Sequence, residues 1–406
     1  MAADREVSIV GAGLTGRVLA LALREVAGAP FTARLFDAAP GPRPPDDIRA
    51  YAVAAGTRRM LTALGIWPRV AGEAQPVSVM DITDTRLAEV VRPVLASFEG
   101  EAGDGEPFVH FIDGRALTAA VDERLGETGT ERIWNSRLQA LRPMDAAMAL
   151  ETSQGRFESR LVIGADGARS AVRRLARLGN VGWPYPQSSI ITIIAHEVPH
   201  DGRAVQHFLP QGPLALLPLP GNRSGIVWTV SAAEADRLMR LPGDAFTEEL
   251  AAACGPERGD IEVLEAPRAY PLELGIARRF VGDRVALVGD AAHRVHPLAG
   301  QGLNLGLRDV AALTEVLAEA VRRGEDYGSL TVLRRYERWR RFDTVQLAAV
   351  TDGLNRLFSN DWTPLRTLRD IGLGLVGRAP RLTRALIAEA SGEMGEMPRL
   401  LRGEAV

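Results

Sequence analysis

The pattern Gly11-x-Gly13-x-x-Gly16 is the feature that most restricts how this chain folds. It stands directly after an apolar run, Val7 to Val10, that is typical of a strand, and it opens a stretch rich in Leu, Ala and Val that is typical of a helix. In such a strand–turn–helix unit Gly11 permits the tight turn, Gly13 lets the backbone approach a pyrophosphate, and Gly16 lets helix and strand pack closely. The predicted phosphate-binding loop is Gly11, Ala12, Gly13, Leu14, Thr15 and Gly16.

A second predicted strand, Thr32 to Phe36, ends at Asp37, about 20 residues after Gly16. At that position a carboxylate accepts hydrogen bonds from ribose hydroxyls. The helix predicted from Leu14 to about residue 27 adds unpaired N–H groups and a partial positive charge for the phosphates. The alternative is a glycine turn with no ligand, which the agreement of strand, helix and acidic residue disfavours. The fingerprint alone does not separate FAD from NAD.

A second motif, far downstream, favours FAD. The predicted strand Arg284 to Val288 ends at Gly289, so that Asp290 is placed to bond a ribityl hydroxyl. Small residues then lead into another helix, whose N-terminus would stabilise the anion of a reduced flavin. A nicotinamide dehydrogenase has no use for such a stretch. The residues predicted to contact the cofactor here are Gly289, Asp290, Pro297, Gly300, Gln301, Gly302, Leu303 and Asn304.

A stretch rich in β-branched and aromatic residues separates the two motifs. Segments 190–194, 206–209 and 225–230 are short and divided by Pro and Gly, which predicts a mostly antiparallel sheet. Since 406 residues exceed one core of usual size, we expect this sheet to form an inserted domain. The predicted division is a discontinuous FAD-binding domain over 1–80, 111–182 and 276–355, a sheet domain over 81–110 and 183–275, and a helical C-terminal segment over 356–406.

Composition excludes several classes of protein. A net charge of −3, from 48 basic and 51 acidic residues, gives no electrostatic reason to expect a nucleic-acid partner. The single cysteine, Cys254, excludes an intrachain disulfide and multi-cysteine metal sites, and it favours a reducing, cytoplasmic compartment. Asp290, His293 and His296 are spaced three apart, but the glycines and Pro297 around them predict a turn, so we expect no metal site.

Three motifs together resemble one family. The stretches Gly11–Gly16, Gly164-Ala165-Asp166-Gly167-Ala168-Arg169-Ser170 and Gly289-Asp290-Ala291-Ala292-His293 occur in the order and spacing of the group A flavoprotein aromatic hydroxylases. The run His296–Asp309 resembles more narrowly the ubiquinone-biosynthesis hydroxylases. The resemblance covers about residues 5 to 360 and implies an α/β fold: a Rossmann-like FAD-binding domain of the para-hydroxybenzoate hydroxylase type with an inserted sheet and C-terminal helices.

The resemblance also implies roles for particular residues. Asp166 and Gly167 match a strand end that serves both FAD and NAD(P)H, and Asp290 matches a contact to the flavin ribityl chain. Arg49 matches an arginine placed near the FAD phosphates and isoalloxazine, and Arg115 matches one that contacts the cofactor. No second nucleotide fingerprint follows a strand in this manner, which fits a family in which NAD(P)H binds transiently.

The chain departs from the family at two positions. Family members often have Asn where this chain has Gly114, next to Arg115, and usually Glu where it has Asp37. Asp37 is shorter by one methylene group, so the same hydrogen bonds to ribose are expected with altered reach.

The reaction implied by the resemblance is hydroxylation of an aromatic ring. NAD(P)H reduces FAD, and O2 then forms a flavin C4a-hydroperoxide that transfers oxygen to a hydrophobic phenol, here a polyprenyl phenol. Pro297 is expected to form a wall beside the reacting ring. His207, Leu216 and Trp228 are the candidate substrate residues, because an apolar channel in the sheet domain would suit a prenyl tail.

The sequence leaves two alternative functions open. One is a related FAD enzyme, such as a hydroxylase of a secondary metabolite or a prenyl reductase, and the other is a non-catalytic flavoprotein subunit of a biosynthetic complex. The stretch from Leu365 to Arg381 mixes apolar and basic residues, which would suit contact with the inner face of a membrane or with a partner. Packing on the FAD domain is the favoured interpretation, because amphipathic helices usually face a core.

Overall fold

The structure is a computed structural model that describes residues 5–26, 30–41, 47–84, 94–99, 101–102, 105–209, 211–296, 301–358 and 395–406. Two predicted site residues, Pro297 and Gly300, lie outside the described residues, as does the apolar and basic stretch near the C-terminus. The predictions made for them therefore stay predictions.

Eight helices run through the described ranges. The long apolar stretches predicted to be helical are helical, with ends shifted by a few residues: the helix expected up to residue 27 ends at Arg24. The helices are α1 (Leu14–Arg24), α2 (Ala55–Ala63), α3 (Gly114–Gly126), α4 (Ala171–Leu175), α5 (Ala232–Leu238), α6 (Gly243–Cys254), α7 (Gln301–Arg322) and α8 (Leu330–Phe358). Within the same ranges, no helix is both long and apolar enough to span a bilayer.

The strands fall into two principal sheets and three small ones. They are β1 (Glu6–Val10), β2 (Thr32–Phe36), β3 (Ala50–Ala54), β4 (Ala74–Pro76), β5 (Val79–Asp84), β6 (Val94–Glu99), β7 (Glu101–Ala102), β8 (Glu106–Pro107), β9 (Val109–Asp113), β10 (Glu131–Ile133), β11 (Leu138–Pro143), β12 (Met148–Thr152), β13 (Gly155–Ser159), β14 (Leu161–Gly164), β15 (Asn180–His196), β16 (Arg203–Leu209), β17 (Gly212–Leu219), β18 (Arg223–Ser231), β19 (Ile261–Val263), β20 (Arg268–Ala277), β21 (Val281–Gly282), β22 (Val285–Leu287) and β23 (His293–Arg294).

The first principal sheet has the strand order β10-β2-β1-β14-β22-β21 and is parallel except at its last pair. Val10 at the end of β1 pairs with Phe36 of β2 and with Gly164 of β14, and Gly164 pairs with Leu287 of β22. Four strands therefore end at one edge. Ligands of open α/β sheets bind outside the carboxyl ends of the strands, so this edge positions the site.

The second principal sheet has nine strands, ordered β23-β20-β15-β18-β17-β16-β5-β6, with β19 paired to β15. All its pairs are antiparallel except β5 with β16, which confirms the prediction of a mostly antiparallel sheet. Its long strand β15 carries the β-branched run 190–194, whose stiff side chains suit a pleated, buried surface.

The two faces of the nine-stranded sheet have different neighbours. One face packs on α5 and α6, in a core that includes Leu214, Trp228 and Phe246. The other face packs on β3 and β9, and a Cβ on Gly225 would overlap the Cβ of Ala50 there. We call these the outer face and the inner face. Only the inner face lies toward β3 and β9, which lead into α2 and α3.

Candidate functional site

Three glycine turns meet at the carboxyl edge of the parallel sheet. Gly11 has a φ of +108°, and a Cβ on it would overlap the carbonyl oxygen of Ala165, so the first turn lies directly against the second. Gly289 has a φ of +59°, and a Cβ on it would lie 3.2 Å from Cγ2 of Thr15. Thr15 therefore joins the first turn to the third. Motifs separated by about two thirds of the chain form one continuous surface.

Gly13 faces open space. A Cβ added to it would meet nothing within 4 Å among the described residues, unlike a Cβ on Gly11 or Gly16. Gly13 is the N-cap of α1, and no described side chain caps that helix. The first N–H groups of α1 are thus free to bind an anion. This is the arrangement that a pyrophosphate requires, and it fits the predicted phosphate-binding loop.

Asp37 holds the phosphate-binding loop in place. Its Oδ2 accepts a hydrogen bond from the backbone N–H of Ala12 at 2.8 Å, and its Oδ1 accepts one from Ala39 at 2.8 Å. A carboxylate has about four lone-pair sites, so further bonds to a ribose are compatible with these two. The short Asp side chain therefore brings the end of β2 up against the loop.

Arg17 of α1, directly after this loop, contacts it and was missed by the sequence prediction. It is buried, its Nε donates to the carbonyl oxygen of Ala12 at 2.6 Å, and its guanidinium pairs with Asp122 of α3 at 2.5 Å. The only signal in the sequence was a single arginine within the apolar stretch of α1. It ties the loop to α3.

Asp166 is engaged by its own turn. Its Oδ2 accepts from the backbone N–H groups of Ala171 and Val172, at the start of α4, and its Oδ1 accepts from the hydroxyl of Ser170. Gly167 has a φ of +75° and faces open space among the described residues, so its backbone is accessible. The carboxylate of Asp166 shapes the turn, and the predicted contact of Asp166 and Gly167 with FAD or NAD(P)H stays a prediction.

Arg49 is paired with Asp47, and the charge of Asp290, far away in sequence, also acts on it. Arg49 forms a two-bond pair with Asp47, at 2.7 and 2.6 Å, and its guanidinium carbon lies 4.9 Å from the ring centre of Tyr51. Partial desolvation opposes the charge, but the hydrogen bonds that Arg49 donates to Asp47 and the nearby negative charges, including Asp290, raise the pKa of Arg49 above its ordinary value. Asp290 itself is exposed. The paired cation thus lies within electrostatic range of the carboxylate predicted to bind the ribityl chain.

Arg115 bridges the two parts of the fold. It pairs with Asp113, its own helix cap, at 2.7 Å, and with Glu265, just before β20, at 2.5 Å. The structure also gives a reason for Gly114: a Cβ there would lie 2.9 Å from the carbonyl oxygen of Asp47, so a side chain is crowded out. Arg115 is committed to two carboxylates, and its predicted contact with the cofactor stays a prediction.

The N-terminal turn of α7 packs against β3. The side chain of Asn304 donates to the carbonyl oxygen of Ala52 at 2.9 Å and accepts from the N–H of Ala54 at 3.1 Å. Both ends of this amide are therefore used inside the protein, and Asn304 positions α7 rather than offering its side chain to a ligand. Gln301 lines a small cavity of about 30 Å³, Leu303 packs against the main core, and Gly302 faces open space among the described residues.

The three candidate substrate residues lie on the outer face of the nine-stranded sheet. Leu216 and Trp228 belong to the core between this face and helices α5 and α6. His207 is buried, bonds Thr83 through Nδ1 at 2.7 Å, and lines a cavity of about 190 Å³ with Leu216. Strand residues alternate between faces, and the sequence does not say which face is which. This placement argues against a substrate role for the three residues.

A buried ionic cluster lies behind the third turn, and no pattern in the sequence indicated it. Asp309 of α7 pairs with His293 at 2.5 Å and with Arg340 of α8 at 2.9 Å, and the three side chains are 0%, 2% and 1% exposed. Burial alone would raise the pKa of Asp309, but His293 and Arg340 hold it below its ordinary value. His293, which the sequence placed in a turn, is thus part of the interior.

His296 is enclosed in an apolar setting. It is 1% exposed, its ring packs edge-on against Tyr185 at 5.3 Å, and neither ring nitrogen has a hydrogen-bond partner among the described residues. Burial lowers the pKa of His296 to about 4, and the charge of Asp352 opposes this only in part. The imidazole is therefore neutral at pH 7.

Lowering the pH is expected to destabilise the protein through His296. Its pKa is about 4 when folded and 6.5 ordinarily, so below pH 6.5 the unfolded chain binds a proton here that the folded chain does not. The stabilisation that comes from keeping His296 neutral is fully present above pH 6.5 and decreases as the pH falls toward 4. At about pH 5 the free energy of unfolding is lower by about 2 kcal/mol on this account. Urea unfolding of the parent and of His296→Leu at about pH 7.5 and 5 measures it. An equal pH dependence in both proteins would contradict the assignment.

Comparison with known proteins identifies the family. The family described as FAD binding domain matches residues 4–348. The chain is 39% identical over 403 residues to ubiquinone hydroxylase UbiL of Rhodospirillum rubrum, covering 98% of this chain and 92% of that one. It is 35% identical over 395 residues to 3-demethoxyubiquinol 3-hydroxylase of Escherichia coli, covering 95% and 98%.

Solved structures agree on the fold. The p-nitrophenol 4-monooxygenase PnpA of Pseudomonas putida superposes with a TM-score of 0.78 at 21% identity, covering 96% of this chain and 98% of that one. The probable FAD-dependent monooxygenase pqsL of Pseudomonas aeruginosa gives 0.75 at 22% identity, covering 91% and 98%. These similarities confirm the predicted α/β fold. The chain therefore belongs to the group A FAD-dependent aromatic monooxygenases, alongside the ubiquinone-biosynthesis hydroxylases, with FAD as cofactor and NAD(P)H as co-substrate.

Proposed function

We propose that this enzyme hydroxylates the ring of a polyprenyl phenol or quinol in ubiquinone biosynthesis, using NAD(P)H and O2. The observation that carries the proposal is similarity along nearly the whole length of relatives named as ubiquinone hydroxylases, not along the cofactor motifs alone. The convergence of three glycine turns at one sheet edge supports it, because that edge provides the pyrophosphate and ribityl contacts that FAD needs.

In this proposal the phosphate-binding loop and the third turn, which are in contact with each other, hold neighbouring parts of the cofactor. The N-terminus of α1, beside Gly13, binds the pyrophosphate, and Asp37 reaches the ribose. Asp290 bonds the ribityl chain, and the Arg49 guanidinium adds positive charge near it. When bound, FAD supplies the electron transfer and the activation of O2, so the chain needs no indispensable acid or base of its own. Its own residues bind, orient and exclude water.

We place the substrate at the inner face of the nine-stranded sheet rather than at the outer face. The inner face packs toward β3, which Asn304 ties to the start of α7. Ile191, Val227 and Thr229 belong to this face by their alternation with the outer-face residues Ile190 and Trp228. A largely apolar wall suits a prenylated ring and keeps water from the reacting centre.

Rapid mixing under anaerobic conditions tests the proposed function. The enzyme with FAD is mixed with NADH or NADPH, with and without polyprenyl phenols in micelles or vesicles, and air is then admitted. The expected result is flavin reduction that the phenol accelerates, followed by a product that carries one more oxygen atom. If no polyprenyl phenol stimulates NAD(P)H oxidation, the substrate class is wrong. Prenyl reduction without O2 consumption would indicate a reductase, and bound FAD that NAD(P)H never reduces would indicate a non-catalytic subunit.

The proposal extends to where the enzyme meets its substrate. A polyprenyl tail partitions into a bilayer, so peripheral contact with a membrane or with a biosynthetic complex would deliver the phenol. The stretch predicted to make such contact, Leu365 to Arg381, lies outside the described residues. Comparing micelles with vesicles in the experiment above addresses this point directly.

A further inference from the structure

The turn that carries Asp290 is held from three sides. The hydroxyl of Tyr336, on α8, donates to the carbonyl oxygen of Leu287 at 2.7 Å. The N–H of Gly289 donates to Asp309, on α7, at 3.0 Å. From α4, Arg173 donates to the carbonyl oxygen of Ala291 at 2.6 Å. Asp290 thus stands exposed on a segment whose flanking backbone is fixed by three different helices.

We call Tyr336, Asp309 and Arg173 the clamp; Asp309 is its acidic member, and its side chain is completely buried. Its two oxygens accept from the N–H of Gly289, from Nε2 of His293 at 2.5 Å and from Nε of Arg340 at 2.9 Å. Replacing a buried ion pair by apolar residues is often neutral or stabilising, so stability alone is a weak reason for such a cluster. Fixing one conformation is a better reason, since a charged acceptor determines where each donor must lie.

The clamp also sets the position of the turn along α7. A Cβ on Gly306 would lie 3.3 Å from the Cα of Gly289, so turn and helix are in direct contact. Gly306 and Asp309 are three residues apart and therefore share one face of the helix. The bond from Gly289 to Asp309 fixes the turn against that face. A shift of the turn would move Asp290 relative to Arg49 and to the N-terminus of α7.

We propose that Asp309 is a positioning residue for the flavin: by holding the N–H of Gly289, it fixes the turn so that Asp290 presents its carboxylate to the ribityl chain. The proposal rests on the FAD role of Asp290 given under the proposed function. Arg340 offsets the buried charge of Asp309, and His293 donates a hydrogen bond to it. Tyr336 holds Leu287 on the same side of Asp290 as Gly289, and Arg173 holds Ala291 on the other side.

Asp309→Asn tests this proposal, because an amide has one acceptor oxygen where the carboxylate has two. The charged Nε of Arg340 should take that oxygen, which leaves an NH2 group facing the N–H of Gly289 and displaces the turn. Arg340 keeps the carboxylate of Asp343 at 2.8 Å, so the variant is expected to fold. Its dissociation constant for FAD, from flavin fluorescence, should rise by about tenfold or more, which is about 1.4 kcal/mol.

Two buried tyrosines provide a matched pair of further variants. Tyr336 and Tyr327 each donate one hydrogen bond to a backbone carbonyl, of Leu287 and of Glu6 respectively. Losing either bond costs a similar free energy of unfolding, about 1 kcal/mol. Tyr336→Phe should weaken FAD binding and shift the reduction potential of the bound flavin, whereas Tyr327→Phe should change neither. All variants are compared at a temperature at which circular dichroism shows each one folded.

The outcomes separate a positioning role from a purely structural role. A folded Asp309→Asn variant that binds FAD within about twofold of the parent would overturn the proposal. Weakening by Tyr327→Phe equal to that by Tyr336→Phe would also overturn it, because general softening of the core would then suffice. A parent protein that does not bind FAD at all would instead refute the proposed function.

Discussion

Gly13→Val is expected to give a folded protein that no longer retains FAD. The backbone of Gly13 has φ −70° and ψ 175°, an extended conformation that valine adopts readily. Because a Cβ there meets nothing within 4 Å of the described residues, the side chain fits the protein without the cofactor. It would occupy the space through which the pyrophosphate reaches the backbone. The loss of affinity should be at least about 100-fold, or about 2.7 kcal/mol, measured by flavin fluorescence titration.

Gly72→Val is the matched control for this variant. Gly72 also faces open space among the described residues, and it lies in the short helical turn Ala71–Glu73, away from the three glycine turns. It should leave FAD affinity unchanged. Gly16→Ala should behave differently again, since a Cβ there would overlap the carbonyl oxygen of Gly11 and disturb folding itself. A yellow, FAD-saturated Gly13→Val protein would refute the assignment of the phosphate-binding loop.

Arg340→Met is expected to have the largest effect on stability. The guanidinium is 1% exposed and pairs with Asp309, which is wholly buried. Methionine leaves that carboxylate with His293 and the N–H of Gly289 but without its permanent cation. Removing one partner of a buried ion pair typically costs about 3–5 kcal/mol, and urea unfolding of parent and variant measures the difference.

Arg335→Met is the control for this prediction, because Arg335 lies on the same helix and pairs with Glu325 at 2.7 Å while remaining 29% exposed. More exposed ion pairs contribute about 1 kcal/mol or less, so its effect should be small. Combining Arg340→Met with Asp309→Asn should cost less than the two single changes added together, since the double variant has no fully buried carboxylate that lacks its cation. Equal effects of Arg340→Met and Arg335→Met would show that the buried cluster has no special energetic role.

The agreement between prediction and structure is best where function depends on local backbone. The first glycine turn needs glycines at fixed spacing, and the strand and helix beside it carry their own periodic patterns. For this reason β1, β2 and the start of α1 can be predicted from the sequence. The same holds for the third turn, where Gly289 has the positive φ that favours glycine. The mostly antiparallel sheet also follows, because β-branched runs divided by Pro and Gly have few other ways to fold.

Prediction fails where a side chain's role depends on what lies opposite it. The sequence analysis named three strand residues as candidates for substrate binding: His207, Leu216 and Trp228. Their strands direct these side chains to the outer face, against α5 and α6. The side-chain amide of Asn304 joins α7 to β3, which the sequence did not indicate, and its predicted contact with the cofactor stays a prediction. A strand pattern gives two faces with equal clarity, but it does not say which one meets the cofactor domain.

By itself, the sequence determined the nucleotide turns, the elements around them and the family, because each depends on residues that are neighbours in the chain. Only the tertiary structure decided that the turns form one surface, that one face of the nine-stranded sheet lies toward β3, and that Asp309, Arg340 and Tyr336 hold the Asp290 turn. Those contacts join helices to a turn across 20 to 49 residues of sequence. No local pattern encodes them, since a buried charge is recognisable only once its partners and its burial are known.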